Sequence, residues 1–224
     1  NNAYLNIAPE IARMADYHHE VLMWHLLDVK VRHWDIDIRS LAAKAIAMLA
    51  PINLERSLEA LNDALETCFD TNLWVRHGSL MVVSEMVLEV HANGTSSGVT
   101  VMDDELVDKI VTLVPRLDKA RMFRGRGGEI LRAASCKLVE SVARADMPVA
   151  IKTKVALIEF LNENVKHPHD YIQQASADAL RHALFAFFGR SSASASKDEG
   201  PSSRLQELTV SKYLKGLADE ENVA

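Results

Sequence analysis

Nine histidines and two cysteines are the residues of this chain with the widest chemical repertoire. Catalysis needs a nucleophile beside a base, and metal binding needs several ligands converging on one point. His18, His19 and His25 share one helical stretch, but His18 and His25 are two turns apart on one face, too far to share an ion without a further ligand. His167-Pro168-His169 stands at a junction with Asp170. Neither spacing is a zinc signature. No metal site, no cofactor and no catalytic residue is expected, and the histidines read as partly exposed side chains on amphipathic helices. Cys68 ends a helix and Cys136 lies in an apolar run, so both read as small core residues rather than nucleophiles. Two cysteines cannot make a disulfide framework, which fits a reduced, intracellular setting.

The run Arg124-Gly125-Arg126-Gly127-Gly128 offers a different chemistry. It is no P-loop, because no Gly-Lys-Ser/Thr follows and no strand precedes it. Its backbone N–H groups at a helix start would still suit an anion. Arg116, Lys119, Arg121, Arg124, Arg126 and Arg132 stand against Asp118 and Glu129, a local charge of +4 that leaves −10 for the rest of the chain. A positive patch on an acidic body points to an acidic partner surface. Nucleic acid is not expected, since the patch is small and 31 acidic side chains outnumber 25 basic ones, a formal net charge of −6. Arg116, Lys119, Arg121, Arg124 and Arg126 are therefore the candidate partner-binding residues. A connector with solvated arginines is the plain alternative.

The elements that position these residues read as helices throughout. Aromatics are scarce at 6%, while Ala, Leu and Val abound, which favours helices over a β-sandwich. With 48% apolar residues in 224, the chain can bury a core without staples. No apolar stretch approaches the ~18 residues of a membrane helix, and no signal-peptide pattern is present. Helical periodicity predicts helices over 3–14, 18–31, 36–49, 53–67, 73–91, 104–118, 128–143, 149–166, 169–188 and 203–218. Loops are expected at 92–103, 119–127 and the Ser-rich 190–203. Pro9 and Pro115 fall inside the pattern and predict a kink or a helix start.

Four of the helix starts superimpose. Counted from Asp35, Asn72, Gly128 and His169, the third residue is Ile38, Val75, Leu131 and Ile172. The fourth is Arg39, Arg76, Arg132 and Gln173; the seventh is Ala42, Ser79, Ser135 and Ser176. Apolar pairs follow at ten and eleven. Offsets 3, 7, 10 and 11 share a helix face, and the small residue at seven permits close helix approach. Asp35 and Asn72 suit N-caps, and the polar residue at offset four is expected to reach the next repeat's turn. Gly78, early in a helix, costs about 1 kcal/mol against Ala, so close packing or a partner's approach must offset it, close packing being the reading taken. Trp34 and Trp74, with Trp24, lie near helix ends and read as covers of the core, interface anchors being the other reading.

Periods of about 40–47 residues built from two helices mark HEAT or armadillo arrays. The fold expected is all-α, an α–α superhelix of about four helix pairs with an unpaired helix at each end. Residues 1–224 would form one segment of a larger solenoid, since neither end carries a polar cap and the chain begins Asn1-Asn2-Ala3 without a Met.

The segments His33-Trp34-Asp35, Ile38-Arg39 with Leu41-Ala42-Ala43-Lys44-Ala45, Val75-Arg76-His77-Gly78-Ser79, Phe123-Arg124-Gly125-Arg126-Gly127-Gly128 with Leu131-Arg132, and Asp146-Met147-Pro148 resemble, in order and spacing, the tubulin-folding cofactor D family. The helix layout is compatible to about residue 218. The resemblance implies a HEAT-repeat, non-catalytic chaperone that captures β-tubulin, whose surface is strongly acidic. It further implies work with other tubulin-folding cofactors and an Arf-like small GTPase to assemble or take apart the αβ-tubulin heterodimer. A contribution to tubulin GTP hydrolysis and a cytoplasmic location with the microtubule cytoskeleton follow from the same likeness. It assigns tubulin contacts to no residue here. From the residues alone, a generic HEAT scaffold or transport adaptor binding protein or peptide partners is the alternative.

Overall fold

A computed structural model describes residues 3–97, 102–188, 207–211 and 214–215, with the backbone alone for 92–97. A π turn at Ala3–Ile7 leads into α1 (Ala8–Met14), and α2 (Asp16–His25) runs on into a π turn at Leu26–Lys30. Then follow α3 (Ile36–Leu49), a 3-10 turn at Ala50–Ile52, α4 (Leu54–Thr67), α5 (Leu73–Ser97), α6 (Asp104–Val111), α7 (Leu113–Lys119), α8 (Gly128–Arg144), α9 (Ile151–Val165) and α10 (Asp170–Phe188). No strand occurs among the described residues. The chain is an all-α solenoid.

Helices α3, α5, α8 and α10 stack one on the next in an unbroken series, and α1 joins the stack at α3. The repeated face makes this layer. Of the sixteen residues at offsets 3, 7, 10 and 11, fifteen are buried and Ile38 is half-buried. Ala42 and Ser135 are at most 2% exposed, and the small side chain at that offset brings adjacent axes together. Ser79 and Ser176 add something their size does not convey. The Ser79 hydroxyl meets Thr67 Oγ1 at 2.8 Å, and Ser176 Oγ donates to the Leu161 carbonyl at 2.7 Å, fastening α5 to α4 and α10 to α9. The other layer is looser: α4 touches α6, and α7 touches α9, only lightly. Between α2 and α4 an ion pair, Arg56–Glu20 at 2.8 Å, spans the gap.

Gly78 shows why a glycine stands there. A Cβ would lie 2.7 Å from Val31 Cγ1 and collide with the Val31 carbonyl, so α5 rests directly on the backbone that closes the Leu26–Lys30 turn. Close packing, as expected, offsets the lost helix propensity.

Three expectations need correction. The helix predicted over 104–118 is two, because Pro115 has no N–H for the Val111 carbonyl and α6 ends there. The loop predicted at 92–103 begins late, since α5 continues to Ser97. The loop predicted at 119–127 starts one residue on, Lys119 closing α7. The Ser-rich 190–203 and most of the predicted helix 203–218 lie outside the described residues.

Candidate partner interface

The junctions before α3, α5 and α10 share one construction. At each, the residue two before the repeat origin takes a backbone N–H on its own side chain. Asp35 N–H donates to His33 Nδ1 (3.0 Å), Asn72 N–H to Asp70 Oδ1 (2.6 Å) and His169 N–H to His167 Nδ1 (3.3 Å). The carbonyl of that same residue accepts from the side chain at offset four. Arg39 Nη1 reaches His33 O at 2.6 Å, Arg76 Nη1 reaches Asp70 O at 2.8 Å, and Gln173 Nε2 reaches His167 O at 2.7 Å. The two arginines also bond the following carbonyls, of Trp34 and Thr71. Asp35 and Asn72 cap their helices through Asp37 N–H and Trp74 N–H.

The offset-four side chain was expected to reach the next repeat. Arg76 and Gln173 instead tie back to their own junctions, because a side chain in the first turn projects toward the helix N-terminus. Arg39 does both: its Nε donates to His77 Nδ1 on α5 at 3.1 Å. Gln173, standing where the other three repeats have arginine, makes the equivalent bond with its amide.

The junction before α8 is built otherwise. Arg126-Gly127-Gly128 replaces the acceptor residue and its turn, and Gly127 is left-handed at φ +85°. Arg132 is released to Asn164 Oδ1 at 3.0 Å, with its guanidinium 5.4 Å from the Phe123 ring centre. Gly128 N–H turns back to Gly125 O at 3.1 Å, so the first donor of the predicted anion-holding backbone is used internally.

This exceptional junction carries the predicted basic patch. Helix α7 closes in a turn in which Met122 N–H bonds Leu117 O (3.0 Å) and Arg121 N–H bonds Asp118 O (2.8 Å). That is the Schellman arrangement, with Arg121 left-handed at φ +60° where glycine is usual. Phe123 anchors the segment, 5% exposed and 5.1 Å from the Phe160 ring centre. Arg116, Lys119, Arg121, Arg124 and Arg126 are all exposed. Arg116 lies 5.1 Å over the Phe69 ring. Lys119, Arg121, Arg124 and Arg126 pair with no carboxylate among the described residues, in contrast to Arg32, Arg56, Lys109 and Lys137.

The other candidates for chemistry are internal. Cys68 and Cys136 are buried and free. Burial raises the Cys68 thiol above its usual range and pushes Cys136 up to about 12, so neither is a thiolate near neutrality. The reading of the histidines as partly exposed is corrected at two positions. His77 is 2% exposed, and burial first, the Arg39 guanidinium second, push it down to about 3. His19 is fully buried, its Nε2 3.1 Å from Leu49 O, because α2 turns that face onto the end of α3. No group of three or more His, Cys, Asp or Glu converges on a metal position among the described residues. Nor is any described helix long and apolar enough to cross a membrane.

The tryptophans also depart from expectation. Trp24, Trp34 and Trp74 are 60%, 70% and 39% exposed, so they do not cover the core. Trp34 lies beside the His33 ring, 5.3 Å between centres, and Trp74 sits over the Arg39 guanidinium.

Comparison with known proteins bears out the likeness read from the motif series. Over 143 residues, 63% of this chain, the sequence is 24% identical to tubulin-specific chaperone D of Dictyostelium discoideum. The match spans about a tenth of that protein, 10% of its length. No family model and no solved structure matches the chain.

Proposed function

We propose that this chain is a tubulin-binding segment of a tubulin-folding chaperone, acting by binding and not by catalysis. The similarity over 143 residues to tubulin-specific chaperone D carries the reading. The basic turn supports it: four exposed cations lie without carboxylate partners on a chain of net charge −6, at the one described repeat junction that lacks the shared carbonyl lock. That arrangement suits an acidic protein surface. The buried thiols and the internal, neutral His77 favour binding over chemistry.

On this reading the partner is β-tubulin, and the segment serves a larger machine. With other tubulin-folding cofactors and an Arf-like small GTPase, that machine assembles or takes apart the αβ-tubulin heterodimer and contributes to tubulin GTP hydrolysis. Its setting is the cytoplasm, at the microtubule cytoskeleton. Arg116, Lys119, Arg121, Arg124 and Arg126 are the residues proposed to face the partner, while Asp35, Arg39, Ala42, Arg76, Gly78, Ser79, Arg132 and Ser135 serve the solenoid.

The test is co-elution of the chain with purified αβ-tubulin at low and at moderate ionic strength. Co-elution that weakens with salt is expected, and the double variant Arg124→Glu/Arg126→Glu should bind at least about tenfold more weakly at low salt, or 1.4 kcal/mol. No co-elution by the folded wild-type chain overturns the placing of a tubulin contact in this segment and makes it a spacer, the likeness to the chaperone still standing. Undiminished binding by the double variant overturns the assignment to the turn.

A further inference from the structure

We infer that Trp34 and Trp74 extend the basic turn into one docking strip for an extended acidic polypeptide that also carries aromatic or apolar side chains. The inference rests on the turn being partner-facing, as proposed above. It adds a second, uncharged half to the site.

The strip is continuous through named contacts. Arg39 bonds the Trp34 backbone carbonyl at 2.8 Å, and its guanidinium carbon lies 5.0 Å from the Trp74 ring centre, so one buried cation holds the Trp34 backbone beside the Trp74 ring. Leu73, adjacent to Trp74, lies against Gly127: a Cβ there would stand 2.9 Å from Leu73 Cδ1. From Gly127 the chain leads back at once to Arg126 and Arg124. Trp34 is 70% exposed and Trp74 39%. Trp34 keeps most of a large apolar surface in water, and Trp74 a smaller part, which is the cost that docking relieves.

The distribution of charge selects the ligand. Arg124 and Arg126 are unpaired by any described carboxylate, whereas Asp35 and Asp37 stand beside Trp34. Arginine and tryptophan also stack on bases, but a nucleic acid brings a phosphate at every step and would meet these aspartates. A polypeptide can set carboxylates opposite the arginines and a neutral ring opposite the indoles.

The probes are poly-glutamate, a glutamate–tyrosine copolymer and oligouridylate, titrated against the whole chain by fluorescence anisotropy at low salt. The copolymer is expected to bind about tenfold more tightly than poly-glutamate. Trp34→Ala should remove that preference and leave poly-glutamate binding intact. Trp74→Phe, which keeps a ring beside Arg39, should reduce the preference without loss of helical signal. Arg124→Glu/Arg126→Glu should weaken both acidic polymers. A copolymer preference retained by both tryptophan variants overturns the strip while leaving the basic turn standing. Poly-glutamate binding unaffected by the charge reversal overturns the turn and the strip together. Oligouridylate that binds more tightly than the copolymer and is lost with Trp34 overturns the polypeptide assignment in favour of nucleic acid.

Discussion

Arg121 holds a left-handed backbone, φ +60°, at the position after α7 where glycine ends most helices of this kind. A side chain there costs about 1 kcal/mol or more relative to glycine. Its guanidinium is exposed and has no carboxylate partner among the described residues, so nothing described within the fold repays that cost. Arg121→Gly is expected to raise the unfolding free energy by about 1 kcal/mol, read from the denaturant midpoint, and to weaken tubulin binding in the co-elution assay. His77 presents the opposite case, a titratable group enclosed by the fold. Burial and Arg39 favour its neutral form, so its folded pKa, about 3, lies below the ordinary 6.5. The unfolded chain therefore binds the proton first. The contribution of His77 is complete above pH 6.5 and is lost as pH falls toward 3, at up to about 1.4 kcal/mol per pH unit. His77→Gln, which keeps an acceptor for Arg39 Nε and never titrates, should flatten the fall in stability between pH 7 and pH 5.

At the scale of elements, the register was legible because it rests on spacing alone: apolar and small residues at offsets 3, 7, 10 and 11 face the stack wherever the helix begins. What reads out poorly is whatever different residue types do in common. His33, Asp70 and His167 occupy the same place in their junctions, yet no single residue type marks all three, and only the geometry joins an imidazole and a carboxylate in one role. Arg39, Arg76 and Gln173 converge in the same manner. The break at Thr112 was half legible, Pro115 announcing it without saying on which side. The exposed tryptophans were not legible, since sequence gives their apolar area but not whether a neighbour covers it. Gly78 was legible as an anomaly, and the Val31 carbonyl explains it. Gly78→Ala should therefore destabilise the chain by about 1–3 kcal/mol, overpacking outweighing the roughly 1 kcal/mol gained in helix propensity. Urea denaturation followed by circular dichroism checks the sign.

Across the whole molecule, the candidate site was legible as composition before it was legible as place. A local +4 within a chain of −6 singled out residues 116–132. That their turn is the exception among the described junctions, and that Leu73 lies against it, needed coordinates, because both depend on helices far apart in sequence. The two layers of the solenoid also differ in a way that bears on how such a chain meets a large partner. Helices α3, α5, α8 and α10 are pressed together by small side chains, while the opposite layer touches lightly between α4 and α6 and between α7 and α9. A body tied along one side and slack along the other behaves as a leaf spring. It resists elongation along its spine and flexes readily as the slack side opens or closes, so it conforms to a curved surface by small rotations distributed among repeats, with no single hinge.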